Sequence, residues 1–148
     1  MIRNIIAFDP GRTTGVLISC FDEEQEWLKI RKFFTIESGM ILSTLKAFDE
    51  PNQIFIVEES PQWRVIEQTI IETYCKFFLE NKNSAKVFIV SPSEWKQSRK
   101  YLIRALREIN DRNLRFPRHV TDCFWMTIFV IFKQYSKLPK LEFEDDRK

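Results

Sequence analysis

Cysteine is scarce and unpaired in this chain: Cys20, Cys75 and Cys123 are odd in number and widely separated, with no closely spaced pair. Neither a disulfide framework nor a thiolate zinc site is suggested, and three reduced thiols are expected. Long hydrophobic runs are also missing. The longest, Cys123 to Phe132, is about half of what a membrane span needs. The N-terminus lacks a signal-peptide pattern, so the expected location is the cytoplasm, with no membrane partner. An excess of one charge is absent too: the net charge of +2 gives no whole-molecule basicity that would argue for nucleic acid. There is no internal repeat or low-complexity linker.

What is present is a chain of 148 residues, 44% hydrophobic and 30% charged, with 14 Phe and 4 Trp. That length suits one domain, expected over 1–138, with 139–148 as a flexible C-terminal tail. The surplus aromatics suit either a core or base-stacking platforms. Charge is unevenly spread. Arg99, Lys100, Arg104, Arg107, Arg112, Arg115 and Arg118 face only Glu108 and Asp111 in the same stretch, so a local basic patch is expected.

Hydrophobic patterning reads as an α/β chain. Arg3 to Phe8, Thr14 to Phe21 and Trp27 to Phe34 read as three strands whose short turns imply antiparallel neighbours. A helix is expected over 37–48, then Gln53 to Val57 as an unalternated apolar strand typical of a buried sheet centre. Val65 to Leu79 reads as a helix and Lys86 to Val90 as a fifth strand. Ser91-Pro92-Ser93-Glu94 signals a helix start, with helical pattern continuing through Ile109. His119 to Tyr135 is a last, strongly apolar helix.

The chemistry-bearing residues lie at the ends of these elements. Ile5-Ile6-Ala7-Phe8-Asp9-Pro10-Gly11 ends an apolar strand in an acid ahead of a tight turn, where a carboxylate is held rigidly and still reachable by metal or phosphate. Turn chemistry alone would also select that Asp. The central strand ends in Glu58-Glu59, and beside the first strand its terminal acid reaches the same end of the sheet. His119 and Asp122, three apart, share a helix face. Each has a plainer reading: a solvated strand end, a surface residue, a first-turn acid favoured by the helix dipole. Together they supply oxygen and nitrogen ligands without thiolates, which suits Mg²⁺ or Mn²⁺. Two such ions about 4 Å apart suit phosphodiester hydrolysis.

The segments Ile6-Ala7-Phe8-Asp9-Pro10-Gly11 with Thr14-Gly15, Ile56-Val57-Glu58, Val90-Ser91-Pro92 with Lys96, and His119-x-x-Asp122 resemble the RuvC-type Holliday junction resolvases of the RNase H-like superfamily. They occur in the family's order over residues 2–135. The resemblance implies a ribonuclease H-like fold with a mixed five-stranded sheet flanked by helices, and two-metal cutting of branched DNA by a homodimer. It implies that Asp9 bridges the metals, that Glu58 ligates one, that His119 and Asp122 complete the site, and that Lys96 lies near the phosphates. Two departures stand out. Glu58 is followed by Glu59-Ser60-Pro61-Gln62-Trp63 rather than the aromatic-bearing loop of bacterial members, and Gln97-Ser98-Arg99-Lys100 replaces a Gly-rich segment. The short length is like that of resolvases from phages and other mobile elements.

Three other readings compete. Sugar-kinase and actin-type ATPases also place Asp before a Gly and Thr hairpin, but need two such domains. RuvC-like nucleases that process ribosomal RNA precursors lack the Glu at the fourth strand's end. A non-catalytic nucleic-acid-binding module on the same fold would not need an intact acidic set. For a resolvase, the basic residues from Arg99 to Arg118 are expected on DNA. Trp63 is placed to stack on an unpaired base at the branch point, and the helix from Val65, with Ile70, Ile71, Tyr74, Phe77 and Phe78, is the expected dimer face.

Overall fold

Antiparallel pairing begins at once. In the computed structural model, β1 (Ile2–Asp9), β2 (Thr13–Asp22) and β3 (Trp27–Glu37) form an antiparallel meander. The structure describes residues 2–48, 53–59, 65–76, 85–109 and 116–144, without the side chains of 65 and 107–109. The first turn is closed by Thr14, whose Oγ1 donates to the Gly11 carbonyl at 3.0 Å and accepts from the Gly11 N–H at 3.3 Å. At the second turn, the N–H groups of Glu24 and Gln25 donate to Asp22 Oδ1 at 3.0 and 3.2 Å, the local bonding that makes Asp a turn former.

The helix expected over 37–48 is shorter than its pattern. β3 runs on to Glu37 because Thr13 pairs with it, and Thr13 Oγ1 donates to Glu37 Oε1 at 3.3 Å. A 3₁₀ turn, Ser38–Met40, follows, and only Ile41–Leu45 is α-helical (α1), burying Ile41 and Leu45. β4 (Gln53–Glu58) lies parallel to β1, and β5 (Lys86–Val90) parallel to β4. Between them, α2 (Val65–Thr73) continues into a π turn over 74–76.

Two long helices complete the chain. α3 (Pro92–Ile109) starts where Ser91 was expected to start it, the Ser91 carbonyl accepting from the Glu94 and Trp95 N–H groups at 3.1 and 3.3 Å. α4 (Arg118–Tyr135) ends at Ser136, whose φ of 55° is left-handed, the usual exit from a helix.

The sheet has six strands, in the order β5-β4-β1-β2-β3-β6, against the five expected. The addition is β6 (Lys140–Phe143), parallel to β3. The expectation of a flexible tail from 139 is corrected over 140–143. The Lys140 N–H donates to the Glu26 carbonyl at 2.8 Å, the Glu144 N–H donates to the Ile30 carbonyl at 2.9 Å, and Leu141 and Phe143 pack on the core. Residues 145–148 lie outside the described residues.

Side chains alternate across the sheet, and each face carries its own apolar layer. Ile5, Ala7, Ile54 and Ile56 pack under α3 and α4 with Trp95, Leu102, Phe124 and Ile128. Ile6, Phe8, Phe55 and Val57 pack under α1 and α2 with Ile41, Leu45, Ile71 and Cys75. The expected dimer face is therefore partly core: Ile71 is fully buried, and Ile70 and Tyr74 pack against the same layer. Phe77, Phe78 and Trp63 lie outside the described residues.

Candidate metal centre

Parallel pairing of β1 with β4 sets Phe8 beside Val57, so Asp9 and Glu58, one residue further on, end the two central strands side by side. The two-residue period then fixes their direction. Asp9 continues the row Ile5, Ala7, and Glu58 continues Ile54, Ile56, both on the face covered by α3 and α4. Glu59 has the opposite parity, is exposed, and donates its N–H to the Val90 carbonyl at 2.8 Å.

The N-terminal part of α4 brings the third acid, Asp122, one turn into the helix. Carboxylate oxygens of Asp9, Glu58 and Asp122 all lie within 4.8 Å of one another. Asp9 and Glu58 are 5% and 8% exposed, and Asp122 is half-buried. This closeness depends on Gly15. A Cβ added there would collide with the His119 carbonyl, so only glycine lets α4 rest on the start of β2. Cys123 Sγ donates to the Gly15 carbonyl at 3.3 Å across the same contact.

Trp95, fully buried on α3, donates its indole N–H to Glu58 Oε2 at 2.7 Å. This short bond to a carboxylate fixes Glu58's orientation. The sequence reading missed Trp95; the available signal was that a Trp on the apolar face of a helix needs an acceptor for its N–H. His119 stands beside the group, Nδ1 3.9 Å from Asp9 Oδ2, and is partly exposed.

Electrostatics at the site are strained toward a cation. Burial, followed by the neighbouring charge of Glu58, pushes the Asp122 carboxyl up, while Lys96, Arg99 and His119 pull it down. Burial, and then the charges of Asp9, Asp122 and Glu58, push the Cys123 thiol well above its usual range. At an effective dielectric of about 20, each ionised carboxylate pair at this spacing repels by about 3 kcal/mol. A hard divalent cation removes that cost, and a donor set of carboxylate oxygens without thiolate is what Mg²⁺ or Mn²⁺ takes. The residues present therefore fit such a metal.

The cations differ in placement. Lys96 Nζ is 5.5 Å from the Trp95 ring centroid, and the Arg99 guanidinium is 5.7 Å from that of Trp125. Both charges reach Asp122. Lys100 and Arg104 are exposed on α3, and Arg118 is exposed at the start of α4. The side chain of Arg107, and all of Arg112 and Arg115, lie outside the described residues.

Fold and site together define a class: a mixed α/β domain with an acidic cluster at the carboxyl ends of its two central strands. Among solved structures, the chain is similar to the Fowlpox virus resolvase in its complex with substrate Holliday junction DNA, with a TM-score of 0.59 at 17% identity over 87% of this chain and 99% of that one. It also aligns with a structure of the Fowlpox virus Holliday junction resolvase, at 17% identity and a TM-score of 0.46 over 95% of this chain and 90% of that one. The first likeness shows a shared fold. No family model matches the chain, and no curated protein matches its sequence. Among the described residues, no helix is long and apolar enough to cross a membrane.

Proposed function

We propose that this chain is a metal-dependent endodeoxyribonuclease that resolves four-way or other branched DNA, with two Mg²⁺ or Mn²⁺ ions per site. The observation that carries the reading is the convergence of Asp9, Glu58 and Asp122 from three separate elements within 4.8 Å. The shared fold with a resolvase from Fowlpox virus, whose structure holds junction DNA, supports branched DNA as the substrate class.

Divalent ions held there supply Lewis acidity to the scissile phosphate and lower the pKa of water. Asp9, Asp122 and Glu58, the last oriented by Trp95, would hold them. His119 either completes the ligand set or takes a proton from the attacking water, its ring being partly exposed beside Asp9. Lys96 and Arg99 offset phosphate charge close to Asp122, and Lys100, Arg104, Arg107, Arg112, Arg115 and Arg118 extend the contact with DNA. Trp63 stacks at the branch point. Two such sites on a two-fold homodimer match the near two-fold symmetry of a four-way junction. Ile66, 72% exposed on α2, with Met40 and Leu42, 58% and 48% exposed, gives that side an apolar surface for pairing.

Labelled four-way junction, flap, duplex and single-stranded DNA, incubated with the protein in Mg²⁺ or Mn²⁺, test this directly. Symmetric junction cuts by a sedimenting dimer are expected. Binding of junctions without cleavage in either metal would leave a nucleic-acid-binding module instead.

A further inference from the structure

The outer side of α3 is built differently from its inner side. Trp95, Leu102 and Leu106 are buried in the core. Ser93, Lys96, Gln97, Lys100, Tyr101 and Arg104 follow one another at helical spacings and form a single stripe about 16 Å long. None of the six is acidic, and three are cations. Tyr101 lies among them 74% exposed, and a depression of about 600 Å³ opens between Ser93, Lys96, Gln97, Lys100 and Tyr101. The stripe begins at the metal centre: Lys96 acts on Asp122 and lies over the ring of Trp95, which holds Glu58.

We propose that this stripe is a track for a DNA strand with unpaired bases, in which a base stacks on Tyr101 and the flanking phosphates lie on Lys96, Lys100 and Arg104. The identity of the strand rests on the nuclease reading above; the track itself rests on the stripe's chemistry. Cations alone would suffice for a duplex, which turns its phosphates outward and hides its base faces. An aromatic ring interleaved with cations adds affinity only where a base offers its face, as in proteins that hold single strands. The depression beside Tyr101 gives such a base room. The track carries a strand away from the acidic cluster along α3, so a junction whose arms open near the cut engages more of the protein than a closed duplex does.

Fluorescence anisotropy without divalent metal separates binding from cleavage. A labelled single strand and a blunt duplex of equal length are the probes. Tyr101→Ala should weaken single-strand binding roughly 5- to 150-fold and duplex binding by less than about twofold, with Tyr101→Phe close to wild type. Lys100→Ala should lower the single-strand salt slope by about 0.7. Unchanged single-strand affinity in Tyr101→Ala, or an equal loss on both probes, overturns the track. A protein that cleaves junctions but shows no Tyr101 dependence keeps the nuclease reading and loses the track. One that cleaves nothing yet binds single strands through Tyr101 keeps the track and loses the nuclease.

Discussion

The two faces of the sheet are built from the same strands and end differently. On the α1 and α2 face, the buried rows of β1 and β4 run out in Phe8 and Val57, both fully buried, and the next acid in the β4 row, Glu59, is exposed. On the α3 and α4 face, the next residues in the alternate rows are Asp9 and Glu58, and α4 adds Asp122. One residue of register separates a hydrophobic layer from a cluster of negative charge. The difference shows how a fold carries a reactive site at low cost: the apolar rows that hold the sheet together also aim the acids, and the charge is confined to the last position of each row. The stability of the domain comes from both layers, and the chemistry from the end of one.

The largest expected effect follows from that parity. Asp9→Asn or Glu58→Gln should reduce DNA cleavage by more than about 100-fold, beyond what loss of a supporting contact to a metal ligand costs. Glu59→Gln, on the opposite parity, should cleave near the wild-type rate. Comparable losses in Glu58→Gln and Glu59→Gln would break the distinction between the faces.

A second comparison uses two glycines. Gly15→Ala places a methyl against the His119 carbonyl, whereas at Gly39 a Cβ meets nothing within 4 Å. Overpacking at Gly15 should cost about 1–3 kcal/mol in thermal or urea unfolding and reduce cleavage by moving His119 and Asp122. Gly39→Ala should leave stability within about 0.5 kcal/mol of wild type, as surface substitutions do. If Gly15→Ala unfolds and cleaves like wild type, α4 does not depend on that close approach.

The smallest effect is on pH dependence. Burial and Glu58 raise the Asp122 pKa in the folded state, so without metal the folded protein binds more protons than the unfolded one just above the ordinary carboxylate range. Stability from this group is present below the unfolded value of 3.8 and is lost as pH rises through the raised folded pKa. Asp122→Asn should remove that decline and match or exceed wild-type melting temperature at neutral pH in chelator. Magnesium should stabilise wild type and not the variant.

Much of this site was legible because each acid stands at an element end. Asp9 precedes a Pro-Gly turn, Glu58 closes an unalternated apolar run, and Asp122 opens a helix apolar beyond it. The antiparallel pairing of the first three strands followed from turn length, and the buried character of β4 from its unalternated apolar run; the pairing of β4 with β1 was only a condition there. Other features depend on long-range pairing, which local pattern does not carry. β6 is four residues long and exists only because β3 offers it an edge. The helix expected over 37–48 shortened because pairing with Thr13 kept β3 extended. Trp95 lay in a segment read for its cations, and its bond to Glu58 spans 37 positions. The role of Gly15 emerges only when α4 is in place. The choice between Glu58 and Glu59 was open in the sequence, although the two-residue period of β4 contained the geometric answer.

Metal binding by wild-type protein and Asp9→Asn, followed by calorimetric titration with Mn²⁺ in the absence of DNA, tests the centre most directly. The account predicts saturable binding to wild type, a rise in its melting temperature with added metal, and loss of both in a folded Asp9→Asn protein. Unchanged Mn²⁺ binding in that variant would contradict the assignment of Asp9, Glu58 and Asp122 as a metal centre.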